Sequence, residues 1–314
     1  MASTKLAIND AIGNTPLVEI RNVTPKNAAR IVAKLEWTNP TGSMKDRMAK
    51  SVIKAAVNRG DIRKGSTVVE YTAGTTGISL AFVCASFGYG FHAIFSDAFS
   101  NEKRAAMKAF GAQVTDVISD NRRITEKLIK EMIDSSHKIS KQENHWWADQ
   151  LNNRDAEEGY YPLGEEIWQQ TEGQVDAFVH TVGTAHSIHG ATKVLRKYNS
   201  GIKVFAVEPD ESAVLSGRPS GSHQIEGIGI GFVPPLWQPK LVDEILTVSS
   251  SDAMAMARRL AKEEGIFAGT SSGANLVASI KIAERLGPGK IVATIIVDSG
   301  FRYISTPLYR SFEA

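Results

Sequence analysis

Lys45 stands in the run Asn39-Pro40-Thr41-Gly42-Ser43-Met44-Lys45-Asp46-Arg47, on a turn rich in Pro, Gly and Ser just ahead of a helical stretch. A lysine placed where the backbone changes direction can point into a cleft instead of snorkelling to solvent. Desolvation there lowers its pKa, and the neutral amine becomes a nucleophile able to form a Schiff base with an aldehyde. On this segment alone, an ordinary surface lysine at a helix start is the plain alternative. Three further runs carry polar groups at strand-to-helix junctions. Glu70-Tyr71-Thr72-Ala73-Gly74-Thr75-Thr76-Gly77 has glycines that let the backbone approach a ligand, hydroxyls that donate, and free helix amides that favour an anion such as a carboxylate. Val182-Gly183-Thr184-Ala185-His186-Ser187 suits a phosphate, through Gly183, Thr184, Ser187 and the intervening amides. Gly269-Thr270-Ser271-Ser272-Gly273 opens a late helix with good caps. Taken singly, each also reads as a hydroxyl-rich cap or a common turn.

The elements that must position these runs alternate along the chain. Strands are expected at 31–35, 67–71, 91–95, 113–117, 177–180, 204–207 and 291–297. Helices are expected at 45–59, 78–87, 101–110, 123–133, 187–198, 252–264 and 272–285, several stopped by glycine. Such alternation predicts an α/β fold with parallel-rich sheets flanked by helices. A polar stretch between Lys141 and Asn153 separates two strand–helix series.

Composition narrows the function classes. A chain of 314 residues suggests roughly two domains. Lys and Arg total 36 against 34 Asp and Glu, a net charge of +2, which leaves no electrostatic footprint for nucleic acid. Cys84 is the only cysteine and lies in an apolar run, so it predicts a packed thiol and excludes an intrachain disulfide. The apolar region Ile78–Phe95 is broken by Gly88, Gly90 and His92, too often for a membrane span, and Met1–Asp10 has no secretory core. A cytoplasmic protein is the expectation. His180, His186 and His189 lack companion ligands at metal spacing, so no metal is expected.

Taken together and in order, these motifs resemble those of the cysteine synthase and cystathionine β-synthase family, fold-type II pyridoxal phosphate enzymes. The resemblance begins at Gly13-Asn14-Thr15-Pro16-Leu17 and continues to Asp298-Ser299-Gly300-Phe301-Arg302-Tyr303. It implies two α/β domains around an interdomain cleft, a larger one of 1–44 and 152–314 and a smaller mobile one of 45–151. It further implies that Lys45 is the catalytic residue and carries pyridoxal 5'-phosphate. Thr75, Gly183, Thr184, Ala185, His186, Ser187 and Ser271 would bind the cofactor with it, Ser271 opposite the pyridine nitrogen. Thr72, Ala73, Gly74 and Thr76 would grip the substrate carboxylate, with Gln150 and Glu226 as further substrate contacts.

Some positions depart from the family pattern. Thr75 replaces an asparagine, Ala185 and His186 replace glycines, and Phe301 replaces a common acidic residue. His186 either adds a positive charge or restricts the loop. Arg218 and His223 lie near the Glu226-Gly227-Ile228-Gly229 segment, as contacts for an acidic group or as plain surface charge, and Glu226 is an acid/base candidate or a solvated carboxylate. The implied reaction is β-replacement on a serine-derived amino acid (O-acetylserine, O-phosphoserine, serine or cysteine) through an aminoacrylate. The implied partners are a small amino-acid substrate, a small nucleophile and a second copy of the chain, with no nucleic acid or membrane. A cysteine desulfhydrase or β-lyase, a replacement enzyme using a nucleophile other than sulfide, and an inactive cofactor-binding regulatory homologue are the alternatives.

Overall fold

The computed structural model describes residues 7–310, which form two sheets with helices packed on them. The strands, in chain order, are β1 Leu17–Ile20, β2 Arg30–Leu35, β3 Thr67–Tyr71, β4 Gly90–Ser96, β5 Gln113–Val117, β6 His145–Trp147, β7 Ala177–Thr181, β8 Lys203–Pro209, β9 Glu244–Val248 and β10 Ile291–Ile296. One sheet has the order β1-β2-β10-β7-β8-β9 and the other β5-β4-β3-β6. Every pairing is parallel except β1 with β2. The α/β fold with parallel-rich sheets expected above is therefore the fold observed.

Helix α1 (Lys45–Arg59) starts at the predicted lysine and ends on Gly60, whose φ of 78° closes the last turn. Its buried stripe of Met48, Ala49, Val52, Ile53 and Ala56 has helical spacing and packs on α2 (Thr75–Phe87). Helix α2 is apolar nearly all round and correspondingly buried, Cys84 included, and burial pushes that thiol well up. The remaining helices are α3 Asn101–Ala109, α4 Glu126–Ser140, α5 Asp155–Glu158, α6 Tyr161–Gln170, α7 His186–Tyr198, α8 Ser250–Arg259 and α9 Thr270–Leu286. Side-chain alternation along the larger sheet feeds two cores. Val32, Phe178 and Ile295 join Val68, Ile94 and Ile188 on one side, while Ile31, Val179 and Ile296 meet Leu276 and Ile282 on the other.

Three local expectations need correction. Helix α4 begins at Glu126, not Arg123, because Thr125 caps it by accepting the Leu128 amide at 3.2 Å, and it runs on through a polar stretch to Ser140. The 252–264 helix is α8 followed by a looser π turn over Leu260–Glu264. The 141–153 stretch is more than a polar connection, since it holds β6, an edge strand of the four-stranded sheet. Four elements, β1, β9, α5 and α6, were not read from the sequence at all.

Candidate active site

The turn bearing Lys45 is stitched to the end of β10. The Met44 amide donates to the Val297 carbonyl at 3.0 Å, the Ser299 amide donates to the Gly42 carbonyl at 3.0 Å, and Ser43 pairs with Asp298. Thr41 donates from both its amide (2.8 Å) and its hydroxyl (2.5 Å) to Asp46, and Arg302 donates to the Thr41 carbonyl. Lys45 is thereby fixed at the first residue of α1 and lines a cleft. Burial lowers its amine to about 8, against the nearby Asp298 carboxylate, which favours the charged form. A sizeable neutral fraction at physiological pH follows.

The same cleft is lined by Ala73, Thr75 and Thr76 from the start of α2, by Gly183 and Thr184 before α7, and by Gln150 and Glu226. Thr72, Gly74, Ala185, His186, Ser187 and Ser271 do not line it. Thr72 is buried, and its hydroxyl accepts the Gly74 and Gly77 amides at 2.9 Å each, so it staples the turn. Gly74 has a φ of 117°, and a side chain there would overlap the Lys103 methylenes, so the position requires glycine. Gln150 is buried, accepts from the Thr76 hydroxyl at 3.0 Å and donates to the Tyr71 carbonyl at 2.8 Å. Ser271 is buried in the first turn of α9.

At the amino terminus of α7, Ala185 takes the left-handed conformation with φ 71°. The His186 Nδ1 lies 3.0 Å from the Thr184 hydroxyl, and its Nε2 is buried without a hydrogen-bond partner. Burial, then the Lys45 ammonium, holds His186 down to about 3, so it is neutral and does not bring the positive charge considered above. His180 is likewise held to about 3 by burial and Lys45. Its ring sits 2.9 Å from the Ser187 hydroxyl and 3.3 Å from the Asn275 amide nitrogen. His189 faces Glu157 and Trp237 instead, and among the described residues no cluster of ligating side chains forms.

Glu226 is not the solvated carboxylate considered above, because Lys103 of α3 forms an ion pair with it. Arg218 pairs with Asp210 on the surface, whereas His223 lines the cleft and meets the Gly229 carbonyl at 2.8 Å. Sequence reasoning missed Lys103, and it quoted Asp298 and Glu70 within motifs without giving either a role. Burial raises Glu70 to about 8 despite hydrogen bonds from Gln150 and the Tyr71 amide, so it is mostly protonated behind the cleft.

Pyridoxal phosphate suits this arrangement on two counts. The buried Lys45 amine can engage an aldehyde. The α7 turn offers open amides, an unpartnered buried His186 nitrogen, and a Gly183 whose missing Cβ would lie 2.6 Å from the Gly227 carbonyl.

Comparison with known proteins agrees. The Pyridoxal-phosphate dependent enzyme family matches residues 8–298. The chain belongs to that family. A cysteine synthase from Staphylococcus aureus (strain N315) is 43% identical over 309 residues, covering 98% of this chain and 97% of that protein. A crystal structure of cysteine synthase from Entamoeba histolytica superposes with a TM-score of 0.89 at 38% identity, covering 96% of this chain and 90% of that one. An O-acetylserine dependent cystathionine beta-synthase from Helicobacter pylori gives a TM-score of 0.90 at 34% identity, covering 96% and 98%. This member of the pyridoxal-phosphate dependent family thus follows the cysteine synthase plan over nearly its whole described length. None of its helices among the described residues is long and apolar enough to cross a membrane.

Proposed function

We propose that this protein is a cysteine synthase-like enzyme that replaces the β-substituent of a serine-derived amino acid, of the O-acetylserine type, with a small nucleophile. The observation that carries the reading is the Lys45 amine, lowered to about 8 by burial, in a cleft lined by the turns that open α2 and α7. Bound pyridoxal phosphate supplies the electron sink that lets an amino acid give up its α-proton and β-substituent. The chain's own residues do the rest. Gly183, Thr184, Ala185, His186 and Ser187 hold the phosphate through amides and hydroxyls, with the α7 dipole. Ser271 would partner the ring nitrogen and Thr75 the ring oxygen. Ala73 and Thr76 hold the substrate carboxylate at the α2 amino terminus, on a turn that Thr72 and Gly74 shape, with Gln150 bracing Thr76. The neutral Lys45 amine takes the proton from the α-carbon and returns it after the nucleophile has entered.

In this reading residues 45–151 form the smaller lobe, which closes over substrate against a larger lobe of 1–44 and 152–314 and excludes water. The protein is proposed to be cytoplasmic and homodimeric. Exposed Ile8 and Phe87, on either side of the bond between Asn9 and Ser86, support a covered face. Reconstitution with the cofactor tests the core of the proposal. Wild type will acquire visible absorbance and a mass increment on the Lys45 peptide after borohydride reduction. Lys45→Ala will show neither and will lose at least about a thousandfold in turnover of O-acetylserine with sulfide. A labelled peptide other than that of Lys45 would sink the assignment.

A further inference from the structure

A buried carboxylate beside the lysine turn has no part in the reaction as proposed. Asp298, just past the end of β10, pairs with Ser43 of the turn that bears Lys45. Its side chain is 2% exposed, its Oδ2 accepts the Tyr303 hydroxyl at 2.7 Å, and its Oδ1 is buried with no hydrogen-bond partner. The backbone hems that oxygen in, because a side chain at Gly269 would overlap it. The other carboxylates near Lys45 are committed, Glu226 to Lys103, Asp46 to Thr41 and Glu70 to its own proton. Burial pushes Asp298 up, but Arg302, the Tyr303 hydrogen bond and Lys103 favour its anion, with Glu226 opposing them. Lys103 in turn lies 4.6 Å from the Tyr303 ring centroid. On the amine side, burial favours neutral Lys45 and the Asp298 charge favours its ammonium. His180 of β7 and His186 of α7 also face that amine and are neutral, while Tyr71 and His223 line the same cleft. A buried anion with a free oxygen and a buried amine within its field make a pair that completes itself only when the amine is charged.

We propose that Asp298 is a positioning residue for Lys45, its carboxylate serving as the counter-ion that holds the ammonium in the cleft while Lys45 carries the proton taken from the α-carbon. The proposal rests on the β-replacement reading above and adds a residue to it. In the step concerned the α carbon–hydrogen bond breaks, its electron pair passes to the sink, and the proton bonds to the Lys45 Nζ. A proton returns from Nζ to the α-carbon once the nucleophile has entered. Without a fixed anion that ammonium would stand unpaired in a buried site, which is costly. Tyr303 acts one step further out, by keeping the Asp298 carboxylate ionised and aimed.

Trace acetylation of the full chain before cofactor loading tests this, because acetic anhydride is small and reacts with the neutral amine. The Lys45 peptide is followed by mass from about pH 5 to about pH 10. Wild type will show a midpoint of about 8. Asp298→Asn, which keeps the shape and removes the charge, will lower that midpoint by about one unit, a roughly tenfold gain in labelling near pH 6. Tyr303→Phe will fall between the two, since an Asp298 carboxylate without its hydrogen bond is less ionised. A merely structural role predicts the reverse, because a loosened cleft admits water and moves the amine up toward an ordinary lysine. Unchanged or raised midpoints in both variants would overturn the proposal, and Tyr303→Phe decides it alone if Asp298→Asn does not fold. In the holoenzyme, Asp298→Asn will lose about tenfold in kcat with O-acetylserine while KM stays within about twofold, and the acid limb of kcat will move down with the midpoint. Midpoints that follow Asp298 in a chain forming no replacement product would sink the replacement reading and leave the ion pair standing. Product formation with fixed midpoints would do the opposite.

Discussion

Ala185 sits at φ +71° at the head of α7, a conformation that costs an L-residue about 1–2 kcal/mol. Ala185→Gly removes that strain but adds about 0.5–1 kcal/mol of chain entropy to the unfolded state. Urea melts of the apoprotein should therefore place the variant level with wild type or up to about 1.5 kcal/mol above it, and Ala185→Val clearly below. Glu70 gives a pH signature. Folded Glu70 keeps its proton up to about 8, whereas the unfolded group has lost it near its ordinary 4.5. The folded state thus binds the extra proton between these values, and stability from this group falls as pH rises through them. Glu70→Gln has no such proton. The wild-type advantage in Tm over Glu70→Gln should shrink steadily from pH 5 to pH 9, and a constant difference would refute the assignment. At this scale Lys45 was legible because its turn is written in local residues, Pro40, Gly42 and Ser43. Lys103, Glu70 and Asp298 were not, because what matters about each is a partner or a burial supplied by distant chain. Lys103 and Glu226 are 123 positions apart.

The element that carries the lysine is anchored by a buried charge network. The Arg47 guanidinium donates twice to Glu36 (2.7 and 2.8 Å) and twice to Glu166 (2.7 and 2.8 Å), and Lys34 meets Glu166 at 2.6 Å. These contacts tie α1 to β2, to the turn after it and to α6. The Arg47 and Lys34 partners hold Glu166 down to about 2 against its burial. Arg47→Ala leaves Glu36 without its cation and Glu166 with one fewer, in a site where neither can be rehydrated cheaply. A loss of roughly 3–5 kcal/mol is expected in urea unfolding. A loss below about 1 kcal/mol would show that the network is incidental. Elements bounded by strong punctuation, such as α1 with Gly60 and β3 before the Gly74 turn, were read at their observed limits. Strand β6 escaped because His145–Trp147 is too short to show a period, and α4 was misplaced because its capping threonine sits inside a run of polar residues.

For the whole molecule, strand alternation revealed two parallel sheets but not their order. The last strand, β10, is inserted between β2 and β7, and a strand's neighbour is chosen by packing across the sheet, which leaves no local trace. The pairing of the two sheets about one cleft came from the family resemblance, not from periodicity. Quaternary structure is open to direct measurement. Sedimentation of the holoenzyme should give twice the chain's mass, and Phe87→Lys should shift it toward the single chain without removing the cofactor's absorbance. Sedimentation as a single chain would rule the dimer out.

The clasp that Val297 and Ser299 place on the lysine turn has a consequence for synthesis. Residue 45 leaves the ribosome early, yet the backbone that seats it follows some 250 residues later, so at about 5–20 residues per second the nascent chain waits roughly 10–50 s. A growing polypeptide therefore cannot capture vitamin B6 in its finished seat, and loading must be a late event that only a nearly completed translation product undergoes.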